Sequence, residues 1–521
     1  MNHKVWKNPV FSVSAAIIVL FVLIGALMPE AFGETASRLF LLTTSKFGWF
    51  YLLAVFVITI FLIGLAISKY GGIRLGGQDE RPQFPFFTWV GMLFSAGFGA
   101  GLVFWGVAEP MSHFFTAPFA QIEGQTQEAA RVAMGYAFFH WGVSQWSVFA
   151  IVGLVIGLLW FRRQQKGLIS TALEPVVGRK PVVRHTVDSL AVIATVMGIA
   201  TSVGLGVLQM NSGLGAVFGT GSSVGIQLVI IAVIFVAYMI SSSTGLEKGI
   251  RYLSNLNLGL ALGLLLFVFI TGPSVFIMET LTLAVGDYFA NFIQYSLRLQ
   301  PYTGGTWVRD WTIFYWAWAI AWSPFVGAFI ARVSKGRTIR EFILGVMIIP
   351  PAIACVWIAT FGGTALWNDL NQGTDIAGAV HNDLATALFQ LYEFLPLTNI
   401  LSIMSILLIF TFLVTSADSA TYILASMTTY GSLNPGQYAK VVWGVLMSAI
   451  AAVLLYAGGL EALQTASLIA ALPFTVLLLL LVVATVKYLS KEPLPLRKVD
   501  AKYIHEQEKA ANAAEKKARI R

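Results

Sequence analysis

The sequence contains few charged residues for its length. Of 521 residues, 11% are Asp, Glu, Lys or Arg, whereas 57% are hydrophobic. A soluble domain carries about 25% charged residues, so a water-solvated surface over the whole chain is excluded. The composition is that of a membrane protein.

Cysteine and histidine are also scarce. The single cysteine, Cys355, lies in an apolar stretch, which excludes a disulfide framework and a cysteine-ligated metal site. Only one of the six histidines, His140, falls inside a predicted span, so the sequence offers little from which to assemble a nucleophile and its base. We therefore expect neither an enzyme nor a resident cofactor.

Long apolar segments, by contrast, occur throughout the chain. A membrane-spanning helix needs roughly 20 mostly apolar residues, and twelve segments meet this requirement. The predicted fold is an all-α polytopic membrane protein with twelve transmembrane helices. The spans are residues 10–28, 47–68, 86–109, 133–160, 187–210, 226–240, 256–277, 312–331, 342–361, 401–427, 441–456 and 466–486.

The distribution of basic residues predicts the orientation of these spans. The chain has 33 Lys and Arg against 25 Asp and Glu, a net charge of +8. If both termini are cytoplasmic, the positive-inside rule is obeyed, because the basic residues outside are only Arg38, Lys46, Arg131, Arg298 and Arg309. The positive charge therefore reflects topology in the cell membrane, and no nucleic-acid partner is expected.

Helix-breaking residues occur in two spans that lie five spans apart. Span three contains Gly97, Gly99 and Gly101, and span eight contains Ser323-Pro324. Glycine also permits close packing of membrane helices, but breaks at corresponding places in two halves favour a substrate pathway. We predict two repeats of five, spans 3–7 and 8–12. The predicted units are residues 1–85 (an arm and two spans), 86–280 (first repeat), 281–310 (an amphipathic helix along the outer face or between protomers), 311–487 (second repeat) and 488–521 (a basic cytoplasmic tail).

Aromatic side chains lie near the middle of spans four and eight. They are Trp141, Trp146 and Phe149 in the first and Trp318 and Trp322 in the second. Tryptophan faces attract quaternary ammonium groups by cation–π contact, and such groups cannot donate a hydrogen bond to a carboxylate. The cluster indicates either a cage for a methylated ammonium or plain helix packing.

Polar residues within the spans supply further candidates. Ionisable residues inside a membrane are functional candidates by default, and those here are Glu109, His140, Asp188 and Asp418. A structural hydrogen bond explains His140 and Asp188 equally well. In span ten, the hydroxyls around 411–419 suit either a sodium ion or contacts between helices.

At these residues the sequence resembles the betaine/carnitine/choline transporter family, and most closely its bacterial glycine betaine transporters. The resemblance covers nearly the whole chain. The motifs that carry it are Met92–Gly97, Phe104–Pro110, Phe139–Gly142, Gly204–Gly206, Lys248–Asn255, Trp311–Trp318, Trp322–Gly327, Gly336–Phe342 and Thr415–Ala420.

The resemblance implies a LeuT-like inverted repeat, a homotrimer, and sodium-coupled uptake of glycine betaine or a related trimethylammonium osmolyte under osmotic stress. The alternative within the family is uptake or exchange of carnitine, choline or another betaine. The implied substrate-binding residues are Trp141, Trp146, Phe149, Trp318, Trp322, Gly97, Phe98, Gly99 and Gly101. The implied sodium ligands are Ser95, Phe98, Phe412, Thr415 and Ser416, with Thr195 and Phe325 at a second site.

Several positions depart from the family pattern. Ala319 follows Trp318 where the family usually has a second tryptophan, and Phe149 stands where a tyrosine is usual. Phe98 and Ala100 replace methionine and isoleucine in the glycine run, and Ile199 replaces a threonine of the second sodium site. These changes bear on the solute and on the number of sodium ions, and the open wall at Ala319 could admit a larger solute.

The basic tail generates a first prediction. From Lys487 to Arg521 it has ten basic and five acidic residues, which suits either a solvated anchor of topology or a segment that binds anionic lipid. We expect truncation after Leu489 to leave transport intact and to remove its dependence on osmolality. Uptake into proteoliposomes at increasing external osmolality measures this, and unchanged regulation would mean that the tail only anchors topology.

Overall fold

A computed structural model describes residues 5–97, 99–244, 247–302 and 304–494, without the side chains of 94–97, 243, 244 and 247–251. The regular secondary structure in these ranges is helical. The helices are α1 (Pro9–Leu27), α2 (Pro29–Ile67), α3 (Phe86–Gly97), α4 (Ala100–Phe115), α5 (Gln127–His140), α6 (Val143–Gly157), α7 (Ile169–Val177), α8 (Pro181–Phe218), α9 (Val224–Thr244), α10 (Glu247–Thr271), α11 (Ser274–Leu297), α12 (Trp307–Asp310), α13 (Thr312–Val333), α14 (Ile339–Gln372), α15 (Ile376–Asn382), α16 (Ala387–Tyr392), α17 (Thr398–Met427) and α18 (Gln437–Leu489).

The all-α polytopic fold is confirmed. Over the described ranges, ten helical segments are long and apolar enough to cross a membrane. Span three is absent from that set because it is divided into α3 and α4, and spans eleven and twelve both lie in the 53-residue α18. Within α18 the chain kinks at Gly459, whose φ of 56° a side chain would strain. The count of twelve spans stays a prediction.

The breaks in the helices differ from the prediction in two places. Span four is divided, because α5 ends at His140 and α6 begins at Val143. Span eight is not divided, because α13 runs through Pro324. Proline cannot donate to the Ile320 carbonyl four residues earlier, but the Ser323 hydroxyl donates to that carbonyl at 2.8 Å. The Ser-Pro pair therefore preserves the helix at the position where a break was expected.

The helix predicted within residues 281–310 is α11, which begins and ends earlier than expected. Its Tyr288 hydroxyl accepts a hydrogen bond of 2.9 Å from the backbone N–H of Val143, the first residue of α6. Asp287, the residue before Tyr288, forms an ion pair with Arg131 of α5 at 2.7 Å. This helix therefore braces the break in span four.

The described part of the tail is attached to the body of the protein. Glu492 lies 2.5 Å from Arg162 and 3.0 Å from Arg163, just beyond the end of α6. Residues 495–521, most of the predicted tail, lie outside the described residues. Truncation after Leu489 removes both the basic tail and these ion pairs. Truncation after Leu494 keeps Glu492 and its ion pairs, so it is the matched control that removes the rest of the tail alone.

The centre of the fold is a close contact between α6 and α13. A Cβ at Gly327 of α13 would lie 2.7 Å from Val152 Cβ and 2.9 Å from the backbone nitrogen of Gly153, both on α6. Helices approach this closely only where small residues face each other. The contact holds the two aromatic-bearing helices, spans four and eight of the prediction, at a set distance.

We therefore expect Gly327→Leu to destabilise the protein severely, since the added carbons meet backbone that cannot move aside. Gly259→Leu is the matched control, because no atom lies within 4 Å of a Cβ built at Gly259 on α10. Thermal unfolding in detergent should show a lower midpoint for Gly327→Leu alone. Equal midpoints for the two variants would contradict this account of the α6–α13 contact.

Candidate functional site

A small cavity lies where the start of α4 faces α6, α8, α13 and α17. Its volume is about 50 Å³. It is lined by Gly99, Ala100, Gly101, Leu102, Trp141, Gln145, Trp146, Phe149, Ile199, Ser202, Val203, Trp318, Ala319, Trp322, Leu413 and Ser416. No side chain in this lining is ionisable, so any charge on a ligand must meet aromatic faces, polar atoms or backbone.

The five aromatic residues predicted in spans four and eight all line the cavity. The rings of Trp141 and Trp318 are 6.0 Å apart and nearly perpendicular, and Trp318 lies 6.3 Å from Trp322. On α6, Trp146 meets Phe149 edge to face at 5.3 Å. These separations are those of favourable aromatic contacts, so the walls are mutually supported.

Backbone at the helix break forms another part of the lining. Gly99 is extended and precedes α4, whose first hydrogen bonds run from Leu102 N–H and Val103 N–H to the Gly99 carbonyl. The N–H groups of Ala100 and Gly101 therefore have no acceptor within the helix. Together with the helix dipole they give this part of the lining a partial positive charge.

Gly101 is in close contact with the aromatic wall. A Cβ built there would lie 2.4 Å from Cη2 of Trp318 and 3.6 Å from Cη2 of Trp141. Of the other predicted residues in the glycine run, Gly99 lines the cavity and Gly97 ends α3. Phe98 lies outside the described residues.

Two polar lining residues were not among the predicted site residues. Ser202 on α8 accepts a hydrogen bond from the Trp318 indole N–H at 3.1 Å and so fixes that ring. Gln145 lies four residues from both Trp141 and Phe149, a spacing that could have indicated it. Its Oε1 is buried and has no hydrogen-bond partner among the described residues. Nothing in the local sequence indicated Ser202.

The predicted sodium ligands are only partly described. Ser416 lines the cavity, and the Thr415 hydroxyl donates within α17 to the carbonyls of Thr411 and Phe412, at 3.0 and 3.1 Å. The side chain of Ser95 lies outside the described residues, as does Phe98. These observations place span ten beside the cavity.

The predicted second sodium site involves α8 and α13. The Thr195 hydroxyl donates to the Ala191 carbonyl at 2.7 Å, and Phe325 lies against Trp322 at 5.6 Å. Ile199, which offers no oxygen, lines the cavity one helical turn beyond Thr195.

A buried polar cluster lies behind the cavity wall. Glu109 is hydrogen-bonded to His140 at 2.6 Å and to His113 at 3.3 Å, and all three side chains are fully buried. The Trp141 indole N–H also donates to Glu109, at 3.0 Å. Two of the four ionisable candidates thus meet at the site.

The other two ionisable candidates lie elsewhere in hydrogen-bonded pairs. Asp188 accepts from the backbone N–H and the hydroxyl of Ser170 at 2.9 and 2.6 Å. Asp418 accepts from the Ser241 hydroxyl at 2.7 Å. Neither residue lines the cavity. Their hydrogen bonds to serine explain both carboxylates as structural.

Comparison with known proteins identifies relatives over nearly the whole chain. A sequence model of the betaine/carnitine/choline family transporters matches residues 9–494. The ectoine/hydroxyectoine transporter of Virgibacillus pantothenticus is 65% identical, over 94% of this chain and 98% of that protein. The glycine betaine transporter of Bacillus subtilis is 44% identical, over 95% and 96%. A betaine/ectoine transporter of Corynebacterium glutamicum is 36% identical, over 95% and 79%.

The contact at Gly101 generates a prediction for the cavity. Gly101→Ala should push the Trp318 ring out of place and weaken binding of glycine betaine and ectoine by at least about fivefold, since overpacking costs roughly 1–3 kcal/mol. Gly91→Ala on α3 is the matched control, because nothing lies within 4 Å of a Cβ there and Gly91 is not among the lining residues. Tryptophan fluorescence titrations of the purified variants measure both affinities, and equal losses in the two variants would contradict the assignment of the cavity.

Proposed function

This chain belongs to the betaine/carnitine/choline family of transporters, and we propose that it takes up a small zwitterionic osmolyte together with sodium by alternating access. The protein is a betaine/ectoine-type transporter, not an enzyme. The observation that carries the proposal is the cavity itself, whose lining combines four tryptophans with the first residues of α4, where the N–H groups have no acceptor within the helix.

The aromatic wall suits the positive end of a zwitterion. A cation over an indole face gains about 0.5–2 kcal/mol per contact, with the larger values in desolvated sites. Trp141, Trp146, Trp318 and Trp322 all line the cavity. Several such faces attract a cation without the desolvation cost of a buried carboxylate in direct contact with it.

The start of α4 suits the negative end of the same solute. Helix N-termini bind carboxylates through free backbone N–H groups and the dipole. Here the N–H groups of Ala100 and Gly101 are free of intrahelical acceptors and belong to residues that line the cavity. A zwitterion in this cavity, whose lining includes both the start of α4 and the tryptophans, would therefore have both charges balanced.

Among zwitterions of this type we propose ectoine or hydroxyectoine as the preferred solute and glycine betaine as the second. The relative with 65% identity is an ectoine/hydroxyectoine transporter. Ectoine carries its charge on a planar amidinium whose nitrogens bear hydrogen, and the Gln145 amide can accept from such a group. A trimethylammonium has no hydrogen to donate there. Ala319 leaves room in the wall for a ring, and also for carnitine or choline as further alternatives.

Sodium coupling is supported by the position of span ten. Ser416 lines the cavity next to Thr415, and hydroxyl and carbonyl oxygens at an unwound helix are typical ligands of sodium in transporters. With Ile199 in place of a hydroxyl residue, we propose one sodium ion per cycle at Ser95, Phe98, Phe412, Thr415 and Ser416. The site at Thr195 and Phe325 then has too few oxygens for a second ion.

We place the transporter in the plasma membrane as a homotrimer, with both termini cytoplasmic and the basic tail near anionic lipid. The charge distribution supports this orientation. Large apolar side chains such as Leu262, Leu266 and Ile270 are exposed on α10, which fits a surface that contacts lipid or a neighbouring protomer. Uptake of an osmolyte without net charge would then protect the cell against osmotic stress.

Uptake into proteoliposomes tests the function. Labelled ectoine and glycine betaine should both accumulate saturably, with a lower half-saturation concentration for ectoine, and only when an inward sodium gradient is present. Gln145→Leu should raise the half-saturation concentration of ectoine by about tenfold, the cost of one hydrogen bond to a charged group. For glycine betaine the same variant should stay within about twofold of the unchanged protein.

Each arm of this experiment can fail separately. Accumulation that persists when potassium replaces sodium would contradict the coupling ion. Preference for glycine betaine, or equal losses for both solutes in Gln145→Leu, would contradict the assignment of ectoine. Rapid, unsaturable flux would indicate a channel instead of a carrier.

A further inference from the structure

The cavity has no ionisable side chain in its lining, yet a buried carboxylate lies directly behind it. Glu109 is on α4, which begins at the helix break and continues past Glu109 to Phe115. Its Oε2 accepts from the indole N–H of Trp141 at 3.0 Å and from the hydroxyl of Tyr315 at 2.5 Å. Its Oε1 bonds to ring nitrogens of His140 and His113. Four side chains from α4, α5, α13 and the α5–α6 break therefore converge on one carboxylate.

The hydrogen-bond pattern around Glu109 suits a carboxylate anion. The Trp141 N–H can only donate, so the carboxylate must accept from it. Glu109 accepts from all four neighbours when the Tyr315 hydroxyl and the nearer N–H of each imidazole also donate to it. The far nitrogen of His113 then has no partner among the described residues. The far nitrogen of His140 then accepts from the Thr312 hydroxyl, which lies 2.8 Å away. If both imidazoles are neutral, the cluster keeps one negative charge, and hydrogen bonds alone satisfy it.

Trp141 connects this charge to the cavity. Its N–H edge is held by Glu109, while Cη2 at the opposite end of the indole reaches toward Gly101 at the start of α4. An indole whose N–H donates to a carboxylate has a more electron-rich ring than a free indole, because hydrogen bonds polarise the groups that they join. The negative face that attracts cations is therefore strengthened on the ring that lines the site.

We propose that Glu109 is a positioning residue that acts on the solute cation indirectly, through its hydrogen bond with Trp141. It sets the orientation of the indole and supplies, one layer behind the wall, the negative charge that the lining lacks. A carboxylate in the lining itself would form an ion pair and require desolvation of both charges on every cycle. The inference rests on the proposed function, since it concerns the cation in that cavity.

A double-mutant cycle tests whether Glu109 acts through Trp141. The variants are Glu109→Gln, Trp141→Phe and the two combined, each reconstituted in proteoliposomes. The readout is the half-saturation concentration for ectoine and for glycine betaine. Glu109→Gln should raise it about tenfold with little change in maximal rate, since it removes the charge and leaves at most a neutral hydrogen bond to the indole N–H. In the Trp141→Phe background, which lacks the indole N–H, the same substitution should change it less than about twofold.

Asp188→Asn is the matched control for loss of a buried carboxylate, because Asp188 is hydrogen-bonded to Ser170 away from the cavity. Its half-saturation concentration should equal that of the unchanged protein. If Glu109→Gln does not reach the membrane, Glu109→Asp replaces it: the charge stays but the oxygen is withdrawn from the indole, and the same dependence on Trp141 is expected.

Two results would overturn the proposal. Equal fold-changes for Glu109→Gln with and without the Trp141 indole would show that Glu109 acts on the fold alone. A fall in maximal rate with an unchanged half-saturation concentration would show the same. If the unchanged protein takes up neither solute saturably, the proposed function is wrong and the role of Glu109 is wrong with it, whereas uptake with independent effects removes only the latter.

Discussion

The interruption of helix at Gly99 is the constraint on which the rest of the site depends. Backbone groups inside a membrane must find partners within the protein, in water or in a ligand. Here the first N–H groups of α4 face a cavity walled by tryptophans. Gly101 can bring the backbone within contact of Trp318 only because it lacks a side chain. The break therefore provides both the N–H groups that we propose for the solute carboxylate and the close approach of backbone to the aromatic wall.

The buried Glu109 carboxylate does not itself line the cavity. The lining of the cavity holds no ionisable group, while the Glu109 carboxylate lies one side chain further out, fully buried and surrounded by hydrogen-bond donors. A zwitterionic cargo needs balanced but weak attraction, because it must leave as readily as it arrives. Aromatic faces and backbone dipoles satisfy this condition better than ion pairs, whose formation requires desolvation of full charges.

Two features of the helices show where pattern reading succeeded and where it failed. The glycine run correctly indicated the break between α3 and α4, because glycine disfavours helix on its own. Ser323-Pro324 suggested a second break, but the Ser323 hydroxyl takes the place of the N–H that Pro324 lacks, and α13 continues. The division after His140 carries no proline. It is stabilised by Tyr288, which is more than 140 residues away in the chain and so could not be found from local sequence.

The sequence by itself determined the membrane class, the helical fold and the aromatic residues of the site, because apolar length, charge bias and tryptophan spacing are local properties. Only the tertiary structure decided which polar atoms face each other. The bond from Trp141 to Glu109 joins residues 32 positions apart, and that from Trp318 to Ser202 joins residues 116 apart. Such pairings depend on how helices cross, and a helix crossing is set by packing of small residues such as Gly327 against a distant helix, which no local pattern records.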